Sequence, residues 1–170
     1  MPVQSAGILL YRSTKDVIVV LLVHPGGPFW AKRDLESWSI PKGEYGGDDD
    51  AQQAARREFE EELGLSCPAG NMISLGETVQ KSGKRVCAWA LAGEFDVTRL
   101  QSNTFEMEWP PHSRHLARFP EIDRAEWFSL ELAGKKIIPR QRVFLERLQS
   151  WLSGNTATLK MPLSARSSSL

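Results

Sequence analysis

Apolar residues fall in short runs whose period changes along the chain. Residues 5–11 are apolar and partly β-branched, residues 17–23 are richer still in valine, and Ser13-Thr14-Lys15-Asp16 is a polar break between them. This pattern predicts two strands joined by a turn, the second buried on both faces. His24-Pro25-Gly26-Gly27-Pro28 then ends any ladder, since two prolines and two glycines cannot continue one. Residues 38–41 read as a short extended piece and residues 42–47 as a glycine-bearing loop.

From Ala51 the period becomes helical. Ala51, Ala54, Ala55, Phe59 and Leu63 form one stripe, Asp48, Asp49 and Asp50 offer N-cap side chains before it, and Gly64 fits just beyond its end. Residues 72–80 and 85–95 alternate as strands around the turn Lys81-Ser82-Gly83-Lys84, and residues 126–130 add another. Residues 139–152 read as a helix that opens on proline and lines up Val143, Phe144, Leu148, Trp151 and Leu152. Residues 102–120 carry Pro110, Pro111 and Pro120 beside Phe105, Trp109 and Phe119, and read as a long functional loop. Strands and two principal helices predict an α/β domain over residues 1–152. Residues 153–170, rich in Ser, Thr and Ala, are expected to form a mobile tail.

At 170 residues the chain suits one core and is short for two ordinary domains. Its 21 Lys and Arg balance 21 Asp and Glu, which excludes bulk electrostatic capture of a nucleic-acid polymer or an anionic membrane. The longest apolar run, 17–23, is far below a membrane span, and no basic segment followed by an apolar stretch opens the chain. Cys67 and Cys87 make neither a disulfide framework nor a zinc knuckle and read as small buried residues. A soluble cytoplasmic protein is the expectation; its oligomeric state is not legible. The neutrality hides one acidic segment, where Glu44, Asp48, Asp49, Asp50, Glu58, Glu60, Glu61 and Glu62 face only Arg56 and Arg57. Carboxylates so crowded call for a cation.

Glu58, Glu61 and Glu62 are spaced i, i+3, i+4 and project from one side of the expected helix. Hard oxygen ligands without His or Cys favour Mg²⁺ or Mn²⁺ over zinc. Arg57 is placed to orient the carboxylate of Glu58 or Glu61. A calcium loop of the EF-hand kind is excluded, because the ligands lack its order.

Gly43-x5-Asp49-x7-Arg57-Glu58-Phe59-x-Glu61-Glu62-x-Gly64-Leu65 resembles the Nudix box, G-x5-E-x7-R-E-U-x-E-E-x-G-U with U bulky and apolar. Six identities at this spacing arise by chance on the order of 10⁻⁵ per chain of this length. The departure is Asp49 in place of Glu: a carboxylate one methylene shorter must brace Arg57, or Asp48 or Asp50 must do so. Residues 5–12, 38–44 and 126–130 resemble the family's first core strand, the segment leading into the box and a late strand. Trp38-x-x-Pro41-Lys42-Gly43 and Lys136-Ile137-Ile138-Pro139-x-Gln141 are similar to asymmetric diadenosine tetraphosphate hydrolases and their bacterial relatives.

The resemblance implies a Nudix-type α/β/α sandwich with a mixed sheet between helices. It implies hydrolysis of a nucleoside diphosphate linked to another group, most simply a nucleoside or dinucleoside polyphosphate, by water attack on phosphorus. Mg²⁺, with Mn²⁺ as the alternative, would be held by Glu58, Glu61, Glu62, the Gly43 carbonyl and Glu121 from a late loop. Arg57, Glu58 and Glu61 are the catalytic candidates, Glu61 as base. Lys42, Lys81, Lys84 and Lys135 are candidate phosphate contacts, although each taken singly reads more readily as a solvated surface lysine. Tyr45, Phe29, Trp30 and Trp109 could stack on a nucleobase. Trp38 and Trp127 are assigned to the scaffold; His24 and His112 could touch a phosphate or act as an acid, but as lone loop histidines they are assigned to the surface. An ADP-ribose or NADH pyrophosphatase and a nucleotide sensor without turnover are the competing readings.

Overall fold

A computed structural model describes residues 4–160, with side chains described as far as residue 154. Strands β1 (Gln4–Thr14) and β2 (Val17–Pro25) form the expected hairpin, followed by β3 (Lys42–Tyr45) and helix α1 (Ala51–Leu63). Then come β4 (Ile73–Val79), β5 (Arg85–Ala92), β6 (Thr104–Glu108), β7 (Leu116–Pro120), β8 (Ile122–Ser129), α2 (Leu130–Lys136) and α3 (Arg142–Lys160). The main sheet runs β4-β5-β1-β2-β8, with β3 also paired to β1. Within this sheet β1 and β5 pair in parallel while the other described neighbours pair antiparallel, so the sheet is mixed.

Alternation along β1 explains the layers. Ala6, Ile8 and Leu10 face α1, where they pack with Leu21, Ala54, Ala55, Phe59 and Leu63. Leu9 and Tyr11 face the other way, into a second core with Leu22, Trp38, Phe128, Ile137, Phe144 and Leu148. The result is the expected α/β/α sandwich. At the start of α1, the Asp50 carboxylate accepts from the Gln52 and Gln53 amides; at its end Gly64 adopts φ 75° and donates to Glu60 O.

Several elements differ from the sequence reading. Residues 42–45 are a strand, because Gln4–Gly7 of β1 offers them an antiparallel edge. Residues 102–120, predicted as a long loop, contain the ribbon β6–β7, in which Phe105 faces Phe119 and Arg118 pairs with Glu106 at 2.8 Å. Helix α2 carries no periodic stripe in the sequence, since its seven residues are too few for one; its N-cap is Ser129, which accepts from Leu132 N. Helix α3 continues beyond Leu152 to Lys160, since extending an existing helix needs no new nucleation. The rest of the expected tail, 161–170, lies outside the described residues. Among the described residues no helix is long and apolar enough to cross a membrane. Cys67 and Cys87 are half-buried rather than fully so, and burial pushes both thiols up.

Candidate functional site

The box glutamates converge on β3 through close backbone approach. A Cβ placed on Gly43 would lie 1.8 Å from Glu58 Oε2, so only glycine leaves room for that carboxylate. One residue earlier, the Lys42 amide donates to Glu62 Oε2 at 3.2 Å. Glu62 is pushed up to about 8, chiefly by burial and further by the charges of Glu58 and Glu121; the Lys42 amide and ammonium oppose the rise. Glu58 is also raised, by burial first and by Glu61 second, with Arg57 opposing. The Lys42 ammonium is itself lowered, by burial and by Lys84.

Arg57 reaches Glu58 at 3.5 Å and Glu61 at 3.9 Å. The expected brace from Asp49 is replaced by this pairing. Asp49 instead accepts from Gly46 N at 3.1 Å within the turn before α1, and Asp50 is occupied as the N-cap. The shorter Asp49 side chain thus shapes the entry to the helix. Glu61 is exposed, and Glu121 stands on the exposed link between β7 and β8. Glu121 is nonetheless tied by its backbone: its amide donates to Asn103 O and its carbonyl accepts from Gly26 N, both at 2.8 Å.

A cavity of about 290 Å³ opens beside these groups, with Lys42, Glu62, Glu121, Trp30, Ser39 and Gln80 among its walls. The structure therefore places Lys42, Glu62 and Glu121 on one cavity wall and seats Glu58 against Gly43, the neighbour of Lys42. Other candidates lie elsewhere. Tyr45 donates to Gln4 Oε1 at 2.8 Å and packs toward the α1 core, with its hydroxyl pushed up to about 12 by burial; it does not line the cavity. Lys84 pairs with Glu44 at 2.8 Å, and Lys81 is exposed on the same hairpin turn. Trp109 sits on the β6–β7 connection and meets exposed Phe29 edge-on at 5.6 Å, outside the cavity lining. Lys135 is exposed on α2.

The surface assignment of His24 is corrected. Its ring is fully buried, with Nδ1 2.8 Å from Asp123 Oδ1 and Nε2 2.6 Å from Arg33 O, and it meets Trp38 edge-on. It anchors the loop that carries Trp30. Trp38 is buried as expected, and Trp127 is half-buried under the Arg12 guanidinium at 4.2 Å. Sequence reasoning passed over Gln80 and gave no role to Gln141, which is fully buried at the start of an apolar helix face.

A metal fits this arrangement on two structural grounds. The Gly43 cradle lets a carboxylate lie directly against the chain, and the available donors are hard oxygens. Among the described residues no three acidic, His or Cys side chains stand gathered as a ready metal cage.

Residues 1–148 match the family model described as the NUDIX domain. The chain belongs to the Nudix hydrolase family. An RNA pyrophosphohydrolase of Rhodospirillum rubrum is 28% identical over 161 residues, spanning 90% of this chain and 93% of its own. Among solved structures, the Ap4A hydrolase of C. elegans in a binary complex gives a TM-score of 0.62 at 24% identity, covering 89% of this chain and 98% of its own. The NUDIX domain of Shewanella oneidensis NrtR, complexed with ADP ribose, gives 0.59 at 13% identity and covers 89% of each chain. These two likenesses establish the shared Nudix fold.

Proposed function

We propose that this Nudix hydrolase is a divalent-metal-dependent pyrophosphohydrolase of a nucleoside or dinucleoside polyphosphate, using Mg²⁺, with Mn²⁺ able to replace it. The observation that carries the reading is the fit of Glu58 against Gly43, beside Glu62 and Glu121 at the rim of a cavity of about 290 Å³. Glu58, Glu61, Glu62, Glu121 and the Gly43 carbonyl would hold the metal. When bound, it would neutralise phosphate oxygens and lower the pKa of a coordinated water.

The remaining work falls to the chain. Arg57 orients the Glu58 and Glu61 carboxylates, and Glu61, exposed and beside them, is placed to take the proton from the attacking water. Lys42 brings a cation to the cavity wall for a phosphate oxygen. Trp30, on the same wall, offers an aromatic face to a nucleobase. The presence of Glu58, Glu61 and Glu62 together supports turnover over mere sensing.

The test is a substrate panel with Mg²⁺ and then Mn²⁺: dinucleoside polyphosphates, nucleoside triphosphates, ADP-ribose, NADH and a 5′-triphosphorylated RNA, with products resolved by chromatography. ATP plus AMP from diadenosine tetraphosphate, abolished by EDTA, is the expected result. Turnover confined to ADP-ribose, NADH or RNA would overturn the substrate assignment. Silence across the panel would favour a sensor.

A further inference from the structure

Gln141 closes the short 3₁₀ turn before α3 and is fully buried. Its side chain faces the Ile40 amide at 3.0 Å. A backbone N–H can only donate, so the atom facing it is the amide oxygen of Gln141. The Gln141 nitrogen therefore points the other way, to Ser39 Oγ at 3.3 Å and to the Gln80 side chain at 3.2 Å. Facing a donor, Gln80 must present its oxygen. The NH₂ group of Gln80 is thereby left over, and among the described residues it meets no acceptor.

Gln80 itself is held in place. It stands at the mouth of the β4–β5 turn, where its amide donates to Lys84 O and its carbonyl accepts from Gly83 N, both at 2.8 Å. It lines the same cavity as Lys42, Glu62 and Glu121. Ser39, the nearby hydroxyl, is already committed: its O–H donates to Ile40 O at 2.7 Å while its oxygen accepts from Gln141. The chain of contacts Ile40, Gln141, Gln80 thus carries the fixed polarity of one backbone amide to the cavity wall.

We propose that Gln80 is a specificity-determining residue that donates a hydrogen bond to an oxygen acceptor of the nucleotide, with Gln141 as the positioning residue that sets its polarity. The inference rests on the nucleotide-hydrolase reading and names one of its recognition groups. Two acceptors share this chemistry, a phosphoryl oxygen and a base carbonyl.

The discriminating variant is Gln80→Glu. A carboxylate still accepts from Gln141 Nε2, so the structural link survives, but the group offered to the substrate changes from donor to anionic acceptor. With the nucleotide that wild type turns over, KM should rise about tenfold or more in Q80E, as for loss of a hydrogen bond to a charged or strongly polar partner, with kcat within about threefold. Gln80→Ala should show a smaller rise in KM, and thermal melts of Q80E should match wild type. Equal loss across adenine, guanine and uracil nucleotides assigns the acceptor to phosphate; loss confined to one base assigns it to the base. Unchanged KM in Q80E, with wild type active, overturns the inference and leaves the hydrolase standing. A lowered melting temperature with kcat and KM falling together would make Gln80 structural and also overturn it. Absence of turnover by wild type on every nucleotide would overturn the hydrolase reading and this inference with it.

Discussion

Gly43 and Glu58 occupy a single space: the Glu58 carboxylate lies where a side chain at position 43 would begin, 1.8 Å from the atom Gly43 lacks. Gly43→Ala should therefore displace Glu58 without rebuilding the sheet, because the obstructed atoms belong to the end of a flexible side chain. Turnover should fall about 10²-fold, the scale of one lost positioning group, while the melting temperature stays within a few degrees. Steady-state kinetics and a thermal melt on the same preparation check both halves.

Glu61→Gln removes a charge from an exposed helix face, not from the core. The fold should persist, since surface substitutions of this kind change stability by about 0.5 kcal/mol or less. Activity should drop about 10²- to 10⁴-fold if Glu61 takes the proton from water. Wild-type turnover in a folded Glu61→Gln protein would remove Glu61 from the mechanism.

His24→Leu should act on stability. Both ring nitrogens meet acceptors, and their loss leaves Arg33 O and Asp123 without their buried partner. The expected cost is about 1–3 kcal/mol, measured by denaturant unfolding. The loop bearing Trp30 should gain hydrogen exchange and protease sensitivity first, since this ring is its anchor.

Asp34 gives a pH-dependent expectation. Lys136 and the Trp38 indole, the latter at 2.9 Å, donate to its carboxylate and hold it below the ordinary value. A depressed carboxyl adds stability that is fully present above its unfolded pKa, near 3.9, and is lost as pH falls through the lower folded value. Asp34→Asn should melt below wild type at pH 7, by less than about 1 kcal/mol because the pair is exposed and screened. The difference should close as pH falls below 4.

What could be read from the chain depended on how local each interaction is. Helix α1 was legible because its caps, stripe and glutamate triplet all lie within a few turns of one another. Strand β3 was not, since Lys-Gly-Glu-Tyr has no strand pattern and becomes one only where β1 offers an edge. The ribbon β6–β7 does alternate, with Phe105 and Met107 on one side, but the prolines between its strands masked it. His24 stood in a glycine- and proline-rich segment, and its burial depends on Asp123, Arg33 and Trp38, which come from separate parts of the chain. Gln141 likewise acquires meaning only through Ser39, Ile40 and Gln80. The helix carboxylates and the arginine that aims them could be located from spacing; the long-range contacts that fix His24, Gln80 and Gln141 could not.

Glu121 is exposed, yet both of its backbone groups are spoken for, one by Asn103 just ahead of the ribbon and the other by Gly26 in the loop that follows β2. Farther along that loop, exposed Phe29 meets half-buried Trp109 of the ribbon's connection edge-on. The two backbone bonds fix the main chain of Glu121 to both segments even though its side chain is exposed to solvent. A change of length in either segment would therefore move the point from which Glu121 presents its carboxylate, so the two loops act as the mounting of one acid.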